Sequence, residues 1–181
     1  VLSVSIDSVD SNDPDSTFAT GEKGQLKLNA TFDDFHDGSE AHQITIAAPA
    51  GFQFTGINSG LPAGVTIDPA STATNLILNV DSDDASGPLG VGSIVNLQFE
   101  IQNVSAGTGV TVDFSATATA TEQNTTASNG DSNKECTDDN NSQSATDTAS
   151  VATKSDLIPI AYDDKVCGDE PAPRNVNVLL I

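Results

Sequence analysis

The sequence is poor in the residues on which many binding and catalytic sites depend. It has no Trp, no Met and one Tyr, so its core must be built from Val, Ile, Leu, Ala and seven Phe, a set that suits strands better than helices. Only six Lys and Arg residues stand against 26 Asp and Glu, for a formal net charge of −20. Such a charge repels phosphate groups, which argues against nucleic acids and anionic membranes as partners.

Further absences narrow the class of protein. No apolar run approaches the ~20 residues of a membrane span, and no basic start followed by an apolar stretch marks a signal peptide. The two cysteines, Cys136 and Cys167, are too few for a tetrahedral zinc site. They form one disulfide or remain two free thiols, and the sequence leaves both open. Because the chain begins without Met and ends on strand-like residues, we expect a piece of a longer polypeptide.

What the sequence does contain is a regular alternation of apolar and polar residues over short runs. This period of two is typical of half-buried strands, and Gly and Pro cluster between the runs. No segment carries apolar residues at helical spacing. We therefore predict an all-β antiparallel sandwich with very little helix. The strand-like runs are 2–6, 26–32, 44–46, 76–80, 95–101, 110–120 and 145–153.

Two polar stretches suggest how the chain is divided. Residues 122–143 are rich in Asn, Thr, Ser and Asp, which predicts a long connection between two late strands. We assign residues 1–153 to a β-sandwich domain. Residues 154–181 are predicted to form a linker and the first strand of a following or interrupted domain. The strand-like run 175–181 either adds to the first domain or belongs to a neighbouring one.

The acidic residues are the candidates for site chemistry. Twenty of them are Asp, the shorter carboxylate that is favoured in turns and in calcium loops. Asp34, Asp37 and Glu40 offer three carboxylates within seven residues, and Gly38 permits a tight turn. Because Ca²⁺ takes six to eight hard oxygen ligands, these three residues are predicted to supply part of a calcium site. The alternative is a solvated acidic hairpin.

Two other acidic groups are weaker candidates for the same ion. Asp10, Asp13 and Asp15 form a second acidic turn, for which ordinary turn chemistry is the competing explanation. Asp163 and Asp164 lie where the next domain is predicted to begin. Carboxylates at such a junction either share an ion with the preceding domain or form a plain acidic linker.

Catalytic chemistry finds little support in the sequence. His36 and His42 flank the first acidic turn, but a catalytic base also needs a nucleophile and an orienting group within reach. No glycine-rich phosphate loop or recognisable pair of carboxylates is present. We predict that the protein is not an enzyme, and we assign no catalytic or cofactor-binding residue apart from the calcium ligands.

Three segments resemble a known family. Residues 32–40 (FDDFHDGSE), followed by a strand and by Pro49–Gly51, resemble immunoglobulin-like or cadherin-like calcium-binding repeats of large bacterial RTX adhesins that leave the cell by type I secretion. Residues 159–164 (PIAYDD) are similar to the start of the next repeat, and 175–181 (NVNVLLI) to the first strand of a von Willebrand factor A-type domain. The resemblance implies an immunoglobulin-like sandwich with Greek-key connections and calcium within and between domains.

The resemblance also implies a function. The leading hypothesis is a calcium-stabilised extender or scaffold domain of a secreted adhesin on the bacterial cell surface, which positions ligand-binding modules for adhesion and biofilm formation. Its partners would be neighbouring domains of the same polypeptide, and a cell-surface ligand would be reached through an adjacent domain. One alternative is a module that itself binds sugar or peptide, although it lacks aromatic platforms. The other is a hydrolase that uses His36 or His42.

Overall fold

The structure is a computed structural model that describes residues 2–11, 16–32, 41–57, 59–80, 93–121 and 142–155. These residues contain no helix, and hence none long and apolar enough to cross a membrane. The ten strands in the described ranges are β1 Leu2–Ser11, β2 Thr17–Phe18, β3 Lys23–Phe32, β4 Ala41–Ala47, β5 Phe52–Ile57, β6 Val65–Ile67, β7 Asn75–Val80, β8 Ser93–Asn103, β9 Thr111–Thr121 and β10 Ser142–Thr153.

The strands form two sheets that pack face to face. One sheet has the order β1-β3-β8-β5 and the other the order β2-β10-β9-β4-β7-β6. Every pair is antiparallel except β10 with the two-residue strand β2. Successive strands repeatedly change sheet, as β3 to β4 and β7 to β8 do, which is the connection pattern of a Greek-key sandwich. The predicted immunoglobulin-like β-sandwich is confirmed.

The core follows the predicted alternation of residues. Along β3, intermediate and buried positions alternate without interruption, and the buried set ends at Phe32. Phe52 lies at the centre of an aromatic cluster, with ring centroids 5.5 Å from both Phe18 and Phe114 in edge-to-face geometry. Such pairs contribute ~0.5–1.5 kcal/mol beyond the area that they bury. These rings join β2, β5 and β9, and therefore tie the two sheets together.

Small side chains shape one side of this core. The inward face of β9 carries Ala116, Ala118 and Ala120, all fully buried, and that of β10 carries Ala145 and Ala149. Facing sheets lie about 10 Å apart when larger side chains separate them. Because alanine projects little, β1 of the opposite sheet comes close to both β9 and β10.

One predicted strand differs in its facing. The alternation in the predicted run 95–101 places Val95 on the same side of the strand as Leu97, but Val95 is 66% exposed and Ile94 is buried instead. The pairing of β8 with β3 shifts at this point, and β8 carries one residue more than its partner. Asn96 adopts a φ of 55°, and its N–H donates to Oδ1 of Asn29 at 2.9 Å. This β-bulge reverses the parity of the strand, which alternation alone does not reveal.

Strand boundaries account for the other differences. The last strand begins at Ser142, three residues earlier than predicted. Its first three residues are all polar, so they show no alternation of apolar and polar residues. Strands β5 and β6 were not predicted, since they are short and mostly half-exposed or exposed. The predicted division at residue 153 coincides with the end of β10, while residues 156–181 lie outside the described ranges.

Candidate functional site

Strand β1 begins and strand β10 ends at opposite ends of the sandwich. Leu2, at the start of β1, pairs with Phe32 at the end of β3. Thr121, at the end of β9, lies at the same end of the molecule, beside Ala41. The last residue of β10, Thr153, pairs with Phe18 at the other end. The first and last strands therefore run in the same direction along the long axis.

Three acidic connections start and finish at the end where β1 begins. Residues 33–40, 81–92 and 122–141 lie outside the described ranges, but the strands that they join, β3–β4, β7–β8 and β9–β10, all meet this end. In sequence they hold four, three and five acidic residues, twelve of the 26, against the single cation Lys134. We call this the acidic end of the sandwich. Nearly half of the carboxylates thus belong to connections that are attached there.

The predicted calcium ligands fall largely outside the described residues. Asp10 lies within β1 rather than in a turn, at the register shift between Val9 and Ser11, and its side chain is not among those described. The other predicted ligands all lie in the undescribed segments: Asp13, Asp15, Asp34, Asp37, Glu40, Asp163 and Asp164. Residues 33–40 are attached at the acidic end, whereas 12–15 and 156–181 follow strands that finish at the opposite end. The calcium site stays a prediction.

A ring stack closes the core at the acidic end. Phe32 of one sheet and His42 of the other are stacked with centroids 5.0 Å apart and planes 21° apart. His42 was expected beside a turn, but it lies in β4 and is only 3% exposed. A histidine buried between two sheets is poorly placed to act as a surface base, which weighs against the hydrolase alternative. His36 lies outside the described ranges.

The opposite end is fastened by a buried amide. Asn103, the last residue of β8, is fully buried. Its Nδ2 donates to the carbonyl oxygen of Phe18 at 3.2 Å, and its Oδ1 accepts from the N–H of Ala106 at 2.8 Å. Its own carbonyl oxygen accepts from the N–H of Gly21 at 2.6 Å. One side chain therefore satisfies backbone groups of two other segments, and we call this the Asn103 end.

Thr153 fastens the last strand at the same end. Its hydroxyl donates to the carbonyl oxygen of Gly107 and accepts from the N–H of Val110 at 3.1 Å. The main chain adds two hydrogen bonds. The N–H of Thr153 donates to the carbonyl oxygen of Val110 at 2.9 Å, and the N–H of Gly109 donates to the carbonyl oxygen of Thr153 at 3.0 Å. Thr153 is 5% exposed, so these bonds are sheltered from water. The point where β10 ends is thus held on both its side chain and its backbone.

Gly51 completes the fastening of the Asn103 end. Its φ of 89° is a conformation that residues with a Cβ rarely adopt. A Cβ there would lie 2.4 Å from the backbone nitrogen of Ala106. The carbonyl oxygen of Gly51 also accepts from the N–H groups of Val104 and Ser105, at 2.7 and 3.1 Å. This close approach of two backbones leaves room for glycine alone.

Several carboxylates in the described ranges already have donors of their own. Lys23 donates to Glu100 at 2.7 Å and Thr55 donates to the same oxygen at 2.6 Å, and these bonds, that of Lys23 first, lower the pKa of Glu100. The N–H of Ala70 and then the amide of Asn79 lower the pKa of Asp68 in the same way. These acids serve local structure. Within the described ranges, no three acidic, histidine or cysteine side chains form a group that could hold a metal ion.

Sequence reasoning missed the residues that fasten the fold. Asn103 continues the buried parity of Phe99 and Ile101, and Asp147 shares the inward parity of Ala149 and Val151. A polar residue at an inward position of an alternating strand was therefore the available signal. Their hydrogen-bond partners lie far away in sequence, and only the folded chain reveals them.

Comparison with known proteins supports the fold alone. No protein-family model matches the chain, and no curated protein sequence matches it. The 35 kDa C-terminal fragment of the major pilin GBS80 of Streptococcus agalactiae is similar in structure, with a TM-score of 0.53 and 12% identity over 85% of this chain and 56% of that one. The major pilin subunit BcpA of Bacillus cereus is similar with a TM-score of 0.50 and 12% identity, over 84% of this chain and 40% of the pilin. For a ScaB type I cohesin from Pseudobacteroides cellulosolvens, the TM-score is 0.48 and the identity 10%, over 89% of this chain and 96% of the cohesin.

These similarities have a limited scope. The chain spans about half of the Streptococcus fragment and less of the Bacillus pilin. The structures are pilin and cohesin proteins, and the resemblance to RTX adhesin repeats gains no support from them and stays a prediction. What this chain shares with the two pilins is the β-sandwich fold.

Proposed function

We propose that this chain is a non-catalytic extender or scaffold domain of an extracellular protein on the bacterial cell surface. The observation that carries the proposal is that β10 ends at the end of the sandwich opposite to the start of β1. A domain that is joined to its neighbours at opposite ends would add its own length to the polypeptide. The ten residues of β1 alone span roughly 33 Å along that axis. The fold shared with two pilins is compatible with this role.

Calcium is the second part of the proposal. Twelve acidic residues on three connections at one end repel one another unless a cation compensates them. Asp34, Asp37 and Glu40 would hold an ion within the domain, since carboxylate oxygens are the ligands that Ca²⁺ prefers. Asp163 and Asp164 would share an ion with the following domain. When bound, the metal supplies positive charge and fixed coordination, and it takes no part in a reaction.

The remaining predicted ligands have a weaker claim. Asp13 and Asp15, with Asp10, are attached near the Asn103 end, which its own hydrogen bonds already fasten. We therefore expect a smaller calcium dependence there. In this account the whole assembly positions the ligand-binding domains of a longer polypeptide for adhesion and biofilm formation, and the ligand is bound elsewhere.

Thermal melting with and without calcium tests this function. An ion that binds only the folded state stabilises it by about 2.7 kcal/mol at ~100 times its dissociation constant, which raises the Tm of a domain of this size by roughly 5–10 °C. We expect that gain in millimolar calcium and its loss in chelator. Magnesium at equal ionic strength controls for screening.

Matched variants locate the ion. Asp34→Asn combined with Asp37→Asn should abolish the calcium-dependent gain, whereas Asp113→Asn, on the exposed face of β9, should retain it. A melting curve of the wild type that is the same in calcium and in chelator would contradict the proposal.

A further inference from the structure

The first and last strands of the sandwich lie side by side without being sheet neighbours. Strand β1 is the edge of its sheet, and β10 has β2 on its outer side only at Ala152 and Thr153. The two strands come close along one open side of the sandwich, where the small side chains of β10 permit it. We call this contact the β1–β10 seam.

The carboxylate of Asp147 bridges the seam. Asp147 lies midway along β10 on the inward side, between Ala145 and Ala149. Its Oδ2 accepts a hydrogen bond from the backbone N–H of Ile6, at 2.9 Å, across 141 positions of sequence. Ile6 itself is 2% exposed. A hydrogen bond to a charged acceptor is about twice as strong as a neutral one, so this bond is well suited to hold an edge strand in place.

The opposite open side of the sandwich is closed differently. There the N–H of Phe54 in β5 donates to the carbonyl oxygen of Ala73 at 2.7 Å, a bond between two backbones. The N–H of Gln98 in β8 donates to the hydroxyl of Ser59 nearby, at 2.9 Å. On the β1 side, a strand edge is capped by an inward acidic side chain, which also blocks pairing with another edge. The fold thus places the carboxylate of Asp147 at the contact between β1 and β10.

The direction of the strands decides how a pulling force acts on the seam. Both β1 and β10 run from the acidic end to the Asn103 end. Tension applied at Leu2 and at Thr153 pulls β1 out at the acidic end and β10 out at the Asn103 end. The strands then slide past each other along their lengths, and every contact between them is loaded together rather than one after another. Such shear resists separation far better than peeling does.

We propose that the β1–β10 seam is the force-bearing contact of this domain and that Asp147 positions β1 in it. The inference rests on the proposed function, because an extender must carry tension between its neighbours. It adds the element that carries the tension, and it requires no calcium.

Constant-force stretching of the full chain between handles at its two ends tests the seam. Asp147→Ala removes the acceptor of the Ile6 N–H, and we expect the lifetime under force to fall about tenfold, the equivalent of ~1.4 kcal/mol. Asp147→Asn retains an acceptor oxygen and should lie between that variant and the wild type. Should Asp147→Ala fail to fold, Asp147→Asn still decides the question. The matched control is Asp113→Ala, on the neighbouring strand, which loses a bond from Ser150 outside the seam and should leave the lifetime within about twofold.

A second control separates force bearing from general stability. Val65→Ala removes buried volume in β6, far from the seam, and lowers the equilibrium stability without touching β1 or β10. If Val65→Ala leaves the lifetime under force unchanged while Asp147→Ala shortens it, the seam carries the load. If both shorten it in proportion to their equilibrium loss, Asp147 is merely structural and the proposal is wrong. Measured in chelator, this outcome is independent of the calcium test of the extender function.

Discussion

The two ends of this sandwich differ in how their connections are held. At the Asn103 end, buried polar side chains and one obligatory glycine bind neighbouring segments with hydrogen bonds that lie in the described structure. At the acidic end, the rings of Phe32 and His42 stack across the two sheets, and the connections attached there carry twelve acidic residues. The Asn103 end is thus held by the chain's own hydrogen bonds, and our proposal is that the acidic end depends on a bound cation.

The largest expected effect tests the end that the chain fastens by itself. Gly51→Ala should lower the free energy of unfolding by about 2–4 kcal/mol, from an unfavourable positive φ and a clash with the backbone of Ala106. Urea denaturation in calcium and in chelator should give the same loss.

Gly21→Ala is the matched control for this substitution. Gly21 has a φ of 86°, yet a Cβ would meet nothing within 4 Å. Its cost should therefore be only about 1 kcal/mol. Equal losses in the two variants would show that the close approach at Gly51 does not stabilise this end.

A smaller effect concerns acids that have their own donors. Because the pKa of Glu100 is lower in the folded chain than its ordinary 4.5, its ionised form favours folding. That contribution is complete above pH 4.5 and is lost as the pH falls through the lower pKa of the folded state. The stability difference between the wild type and Glu100→Gln should therefore shrink on acidification below about pH 4.5, in calcium and in chelator alike.

Thr55→Val sharpens this prediction. It removes the second donor to Glu100 and leaves Lys23 in place, so the acid-dependent loss should become smaller but remain. Denaturation curves at closely spaced pH values measure both variants. A stability difference that is the same at every pH would contradict the assignment.

The class of the fold could be predicted because the alternation of apolar and polar residues is a local property of each strand's own sequence. Along β3 the pattern is complete, and burial follows it residue by residue. The facing of Val95 could not be predicted, since the bulge at Asn96 depends on a side chain of β3. Strand β6 was missed because three residues with two exposed positions carry almost no pattern.

The candidate site was only partly accessible to the same reasoning. The acidic clusters were visible in the sequence. That three acidic connections are attached at one end follows from the strand order, which local sequence patterns do not predict. The fastening residues Asn103 and Asp147 were overlooked because their partners come from other strands. Their position in the alternating pattern shows that these two side chains point inward, but their hydrogen-bond partners are known only from the folded structure.

Hydrogen exchange, followed along the chain with and without calcium, tests the central claim most directly. The account predicts that chelator accelerates exchange about tenfold or more at the strand ends of the acidic end, around Phe32 and Val80, the effect of ~1.4 kcal/mol of lost local stability. Amides around Asn103 and Thr153 should change far less. Unchanged exchange at the acidic end, or a larger change at the Asn103 end, would contradict it.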